Sequence, residues 1–125
     1  MQLAPISLVA LSPDIVCILS VVEIEEDGRV DSNEWDYYGP YTVGAGTDFV
    51  ATATTYSNGD RVHLYVREGS QPTGNRYDCR ERDIRNESET CTVSIGGSEE
   101  QIYVGIRGRN GTNNSDYDLE ITYGG

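Results

Sequence analysis

Two cysteines, one histidine and a surplus of acids are the residues here with types suited to chemistry, and their spacing narrows what chemistry they can do. Cys79 and Cys91 stand at the two ends of the charged stretch YDCRERDIRNESETC. A zinc site needs four N or S ligands in short paired spacings such as C-x-x-C, and two distant cysteines with one histidine do not supply them. Redox motifs fail the same spacing test. His63 is the single histidine, so a Ser-His-Asp or Cys-His site would have to be built around it. No nucleophile elbow or HExxH accompanies it. Its place in the middle of RVHLYVR suits a solvated surface imidazole better than a catalytic one. Acids are numerous enough that a paired-carboxylate hydrolase stays open on sequence alone. Cys17, inside the apolar run IVCILSVVEI, reads as a small core residue.

Charge excludes some partners. The chain has 125 residues with 21 Asp and Glu against 9 basic residues, a formal net charge of −12. That charge repels phosphate backbones and anionic membranes, so neither nucleic acid nor a membrane is an expected partner. Every basic residue is Arg, and the acids are spread along the chain. A high-salt habitat and a plain bias against Lys both account for this.

The elements that position these residues have period two. In RVHLYVR, Val62, Leu64 and Val66 fall on one face and Arg61, His63, Tyr65 and Arg67 on the other. QIYVGIR places Ile102, Val104 and Ile106 inward with Gln101, Tyr103 and Arg107 outward, and DYDLEITY turns Tyr117, Leu119, Ile121 and Tyr123 inward. DFVATATTY, WDYYGPYTV and TCTVSI complete the set, with turn signals at SNGD, GSQPTGN, IGGSE and RNGTNNSD between them. Six or more short strands without a helical period predict an all-β sandwich or barrel. Trp35 and Phe49 are expected in its core, and Gly39 and Pro40 between Tyr37, Tyr38 and Tyr41 mark a bend or strand edge. Residues 1–27 are expected to be a leader or linker, or to hold a first strand, ahead of a single domain over 28–125. The apolar start lacks a basic n-region and is broken by Pro5, Pro13 and Asp14, so it is not a convincing membrane span. The triplets at Asn86, Asn110 and Asn113 match glycosylation acceptors formally and receive no role.

The blocks DRVHLYVREGSQPTGNRYDCR, NESETCTV, QIYVGIRG and YDLEITY resemble the bacterial pre-peptidase C-terminal domain, an accessory module of secreted proteases related to clostridial collagen-binding domains. The resemblance spans about Gly28 to Tyr123. It implies a jelly-roll-like antiparallel β-sandwich of about eight strands and a non-catalytic, extracellular role. With it, Cys79 and Cys91 are expected to form a disulfide across a polar turn, which suits an oxidising compartment. The related domains hold calcium with an acidic linker and acids near the first strand. Carried over, the ligands would be Glu23, Glu25 and Asp27 of EIEED with Glu34 and Asp36 of NEWD. The chain departs from the usual DxDLYV by placing His63 where an acid is common.

Alternation turns Tyr65, Tyr103, Arg67 and Arg107 outward, a candidate patch for an extracellular protein or polysaccharide polymer if their strands are neighbours. Cross-strand packing of the same tyrosines is the competing reading. Two functions follow: a secreted module serving a catalytic peptidase domain in cis or trans, or a structural, cleavable tail with no ligand of its own.

Overall fold

The computed structural model describes residues 6–7 and 20–125. The apolar stretch around Cys17, and with it the reading of a leader, lies outside the described residues. Among the described residues nine strands run in chain order: β1 (Ile6–Ser7), β2 (Ser20–Val30), β3 (Trp35–Val43), β4 (Asp48–Thr54), β5 (Arg61–Glu68), β6 (Cys79–Arg85), β7 (Ser88–Ser94), β8 (Glu100–Gly108) and β9 (Ser115–Gly124). They form two antiparallel sheets, one ordered β1-β2-β9-β4-β7 and the other β3-β8-β5-β6. We call these sheet A and sheet B. From β2 onward, every connection except β5 to β6 crosses from one sheet to the other. That alternation, with β2 and β9 neighbours in one sheet and β3 and β8 in the other, is the jelly-roll arrangement of two interlocked Greek keys. The short β1 extends sheet A at the β2 edge.

The core lies between the sheets and follows the predicted alternation. Val62, Leu64, Val66, Ile102, Val104 and Ile106 from sheet B meet Phe49, Leu119 and Ile121 from sheet A, all at most 1% exposed. Each such side chain stabilises the fold by roughly 1.5–3 kcal/mol relative to leaving it in water. Ala51 and Ala53 in β4 keep the centre of sheet A thin where these larger residues interdigitate.

Strand β2 begins before the domain boundary expected at residue 28. It pairs with β9 from Val21↔Gly124 to Val30↔Ser115, so the acidic EIEED segment is a sheet strand. Its inward positions include Glu26 and Gly28, which the inner ends of Tyr38 and Tyr117 require. A Cβ on Gly28 would run into the Tyr117 hydroxyl, which is itself bonded to Asp36.

Cys79 in β6 and Cys91 in β7 are disulfide-bonded, with Cα atoms 5.7 Å apart. β6 is the edge of sheet B and β7 the edge of sheet A, so the bond staples the sandwich shut along one open side. Closing a loop of this length stabilises by about 2–3 kcal/mol.

Candidate functional site

Strands β5 and β8 are neighbours in sheet B, paired Arg67↔Tyr103, Tyr65↔Gly105 and His63↔Arg107. Tyr65, Tyr103, Arg67 and Arg107 therefore share one outer face, as the candidate patch requires. The face is not flat and open, however. The β5–β6 loop, residues 69–78, folds back over it, buries Pro72 and covers Tyr65, which is only 3% exposed. Tyr65 points to the predicted side but packs beneath Trp35 (4.8 Å between centroids) and beside Tyr77 (5.7 Å).

Trp35 is a correction. It was expected in the core, but it pairs with Arg107 on the outer face of β3 and stacks on Tyr37 at 5.2 Å, nearly coplanar. It fits there because Gly105, opposite Tyr37 on β8, has no side chain and the indole lies over it. A Cβ at that position would lie 2.8 Å from the indole and 3.0 Å from Pro72. The Arg107 guanidinium lies over the indole at 5.4 Å, and Arg80 lies over Tyr77 at 4.7 Å. Both are cation–π contacts that hold the cations above an apolar floor. Phe49 is in the core as expected, fully buried.

Beside this aromatic layer is an open cleft of about 410 Å³, lined by His63, Tyr65, Arg80, Arg82 and Arg107 with Asn33, Gly74 and Asn110 at its rim. It continues into a second hollow of about 470 Å³ lined by His63, Arg82, Asp83, Arg109 and Asn110. Its far wall is built by two turns locked together. Asn33, at φ 61°, donates from Nδ2 to Asn110 Oδ1 (2.9 Å), and the Gly111 N–H donates to Ser32 Oγ (2.7 Å). Asn113 Oδ1 accepts from the Ser32 N–H (3.1 Å), so Asn110 and Asn113 have structural duties that the sequence did not reveal.

Polarity in the cleft is one-sided. A bulge in β6 sets Asp83 at φ 58°, and its backbone N–H donates to His63 Nδ1 (2.9 Å). With Nδ1 accepting, the neutral ring carries its proton on Nε2 and is a donor toward any ligand. Burial, reinforced by the Arg82 charge, pushes the imidazole down to about 4, so it is neutral at pH 7. Asp83 is the only carboxylate lining either hollow. It is held by Arg61 through two bonds (2.8 and 2.6 Å) and by Arg109 at 3.4 Å, and the Arg61 bond depresses its carboxyl. Among the described residues, Arg80, Arg82 and Arg107 form no ion pair, and the buried Arg107 Nε has no hydrogen-bond partner. The sequence reading singled out Arg107 but missed Arg80, Arg82 and Arg109. The available signal was that every arginine except Arg29 falls between residues 61 and 109.

The calcium candidates do not converge. Glu23, Glu25 and Asp27 point outward from sheet A, opposite Thr122, Glu120 and Asp118 of β9. Glu34 sits in the β2–β3 turn, where its Oε1 accepts the Asp31 N–H (3.0 Å). Asp36 faces the interior and accepts from the Tyr117 hydroxyl (2.6 Å), which in turn bonds Tyr38. Burial and these bonds push the Tyr117 phenol far above its usual range. Among the described residues no group of three or more His, Cys, Asp or Glu is placed to hold a metal. The segment is here a strand, which keeps Glu23, Glu25 and Asp27 on one outward face while Asp36 faces the interior and Glu34 caps a turn, so the two segments do not meet.

The outer face of sheet A holds a larger hollow, about 790 Å³, lined by Glu25, Asp27, Asp118 and Glu120 together with Thr52, Thr54 and Ser88. No Arg is among its described lining residues. Tyr56, largely exposed, donates to Asp118 (2.6 Å), and Arg29 pairs with Asp116 at its margin (2.7 Å). Size alone would favour this hollow. Concavity built by converging loops, an aromatic floor and unsatisfied donors favour the cleft on sheet B.

No protein-family model matches the chain, and no curated protein sequence is detectably similar. Among solved structures it is similar to the periplasmic inhibitor of g-type lysozyme from Aeromonas hydrophila, with 12% identity, 79% of this chain and 83% of that one covered, and a TM-score of 0.60. It is also similar to the Yersinia pseudotuberculosis-derived mitogen, at 13% identity, 81% and 85% coverage and a TM-score of 0.57. A carbohydrate-binding module of Cellvibrio mixtus lichenase 5A aligns over 97% of this chain and 86% of its own at 13% identity and a TM-score of 0.44. At these identities the first two likenesses concern the fold, a jelly-roll β-sandwich.

Proposed function

We propose that the protein is a non-catalytic extracellular binding module that holds an extended polysaccharide against the outer face of sheet B. The observation that carries this reading is the cleft beside Trp35, Tyr65 and Tyr77. Aromatic rings offer pyranose-sized apolar area at low entropy cost, and the guanidinium and amide donors around them suit ring hydroxyls. Acid–base hydrolysis finds little support there, since the one carboxylate is engaged by two arginines and the imidazole is tied at Nδ1. The Cys79–Cys91 bond supports an oxidising, extracellular setting. The resemblance to pre-peptidase C-terminal domains extends the reading to a module that serves a secreted peptidase, and it makes calcium dependence a separate question answered by melting in calcium and in EDTA.

The test is retention by a panel of insoluble polysaccharides. Tyr77→Ala and Tyr37→Ala should each weaken retention about tenfold, the effect of removing one aromatic anchor, and melting of each variant separates lost contact from lost packing, since Tyr37 also stacks on Trp35 and donates to Pro72 O (3.1 Å). A wild-type protein that no polymer retains would leave the structural-tail reading in its place.

A further inference from the structure

The arginines of the cleft point to a more specific ligand. Arg80, Arg82 and Arg107 converge with His63 and Asn110 on one hollow without any carboxylate among its lining residues, in a protein whose net charge is −12. Like charges gathered on one face repel, and here no internal acid relieves them: Arg80 and Arg107 rest on aromatic rings and the nearby Asp83 is already taken by Arg61 and Arg109. Arg107 is tethered only weakly, its Nη2 donating to Asn33 Oδ1 at 3.3 Å, while its Nε is buried without a partner. Asn110 uses its oxygen to hold Asn33, leaving its NH₂ group as a donor. His63 likewise spends its acceptor on the Asp83 N–H, leaving Nε2–H. Apart from the Tyr65 hydroxyl, which can donate or accept, the free side-chain polar groups around the hollow are donors, and most carry positive charge.

We propose that this cleft is an anion subsite that accepts a single carboxylate or sulfate group of an acidic polysaccharide. This rests on the reading of the sheet B face as a polysaccharide surface. Two oxygens of a planar carboxylate, or of a tetrahedral sulfate, match the paired N–H geometry of guanidinium groups, and such charge-assisted bonds are roughly twice as strong as neutral ones. The rest of the surface argues for a sparsely charged polymer over a nucleic acid. A phosphate backbone carries charge at every residue and would meet the acidic body of the protein on leaving the cleft. A sugar chain with acid groups set apart by neutral rings can place one anion in the hollow and lay its neighbours on Tyr77 and the Trp35–Tyr37 stack.

Affinity electrophoresis and calorimetry with hyaluronan oligosaccharides (a carboxylate on every second ring), κ-carrageenan oligosaccharides (a sulfate on every second ring), cellohexaose and sodium sulfate test this on the full chain at fixed ionic strength. The hyaluronan or the carrageenan oligosaccharide should bind about tenfold or more tightly than cellohexaose, and whichever binds better identifies the anion. Arg82→Gln and Arg107→Gln should each cost about tenfold for the acidic polymer, the loss expected for one charge-assisted bond, and a clearly smaller factor for cellohexaose, whose hydroxyls the substituted amide can still bond. Arg29→Gln, which removes the same charge from the other sheet, should change nothing. Equal losses for Arg29→Gln and Arg82→Gln would reduce the effect to general electrostatics and overturn the subsite. So would equal binding of acidic and neutral polymers, although the polysaccharide reading would then survive. Binding of neither polymer nor sulfate ion would overturn both, and binding of sulfate ion without any polymer would overturn the polysaccharide reading and the proposed ligand with it, leaving a site for a small free anion.

Discussion

Sheet A and sheet B are made by the same alternation, yet their outer faces differ in charge, cover and order. On sheet A the register sets acid against acid, Glu25 opposite Glu120 and Asp27 opposite Asp118. The adjoining strands add hydroxyl pairs, Thr52 with Thr90 (2.9 Å) and Thr54 with Ser88 (2.6 Å). No long loop among the described residues crosses that face, and it suits solvation and mutual repulsion between copies. On sheet B the 69–78 loop and the locked turns at 31–34 and 109–114 build walls over an aromatic layer, and nearly all the arginines gather there. One strand pattern thus yields a solvated face or a binding face, depending on which loops fold back across it.

The largest effect that can break this comparison is on stability. Trp35→Ala removes an indole wedged between Gly105, Pro72, Tyr37 and Tyr65 and should cost about 2–3 kcal/mol, toward the lower range for truncating a large aromatic because the ring is only partly buried. Thr52→Ala, at the centre of the sheet A face, should stay within about 0.5 kcal/mol. Urea midpoints for the two variants measure the difference directly. Equal losses would mean that sheet B has no second packed layer.

A smaller effect is visible in pH. His63 is held at about 4 in the folded protein, first by burial and then by Arg82, with Arg107 and Arg109 adding to the same direction and Asp83 opposing. In the unfolded chain it titrates near 6.5. Between these values the unfolded state binds the extra proton, so the contribution of neutral His63 is complete above about pH 6.5 and is lost as pH falls through about 4. For a half-exposed ring, solvent screening reduces this to about 1 kcal/mol. His63→Gln should flatten that part of the stability–pH curve measured by denaturant melts from pH 7 to pH 4. An unchanged slope would place the imidazole in water and remove it from the cleft wall.

The strands and the core were legible because alternation is a local property. Val62, Leu64, Val66, Ile102, Val104, Ile106, Leu119 and Ile121 can be assigned from their own neighbours, and the disulfide and jelly roll followed from the family-like blocks. The cleft was less legible because it depends on distant segments. Nothing in GSQPTGN says that the loop will fold over β5, and without that cover Tyr65 reads as exposed and Trp35 as core. Aromatic residues on both sides of WDYYGPYTV, with a register shift between Tyr38 and Tyr41, hide which side faces in. The acidic EIEED segment has one apolar position, Ile24 in the core, because its other inward place is Glu26, followed by Gly28 beside Tyr117. A strand at the margin of the core therefore resembled a linker, and a linker resembled a calcium site.

The smallest effect separates the two kinds of like-charge crowding. Glu120 lies on β9 directly between Glu25 and Thr52, so Glu120→Gln removes a repulsion across adjacent strands and should raise stability by about 0.2–0.5 kcal/mol at low salt. The gain should shrink as salt shortens the Debye length to about 8–10 Å near 0.1–0.15 M. Arg82→Gln relieves crowding on the other face and should likewise leave folding intact or slightly improved. If sheet A is only a solvated surface, Glu120→Gln will leave polymer binding unchanged. If the sheet B arginines are kept for a ligand, Arg82→Gln will cost binding while sparing stability. A variant pair that lost binding together would show that the acidic hollow also contributes to recognition, and the division of labour between the faces would fail.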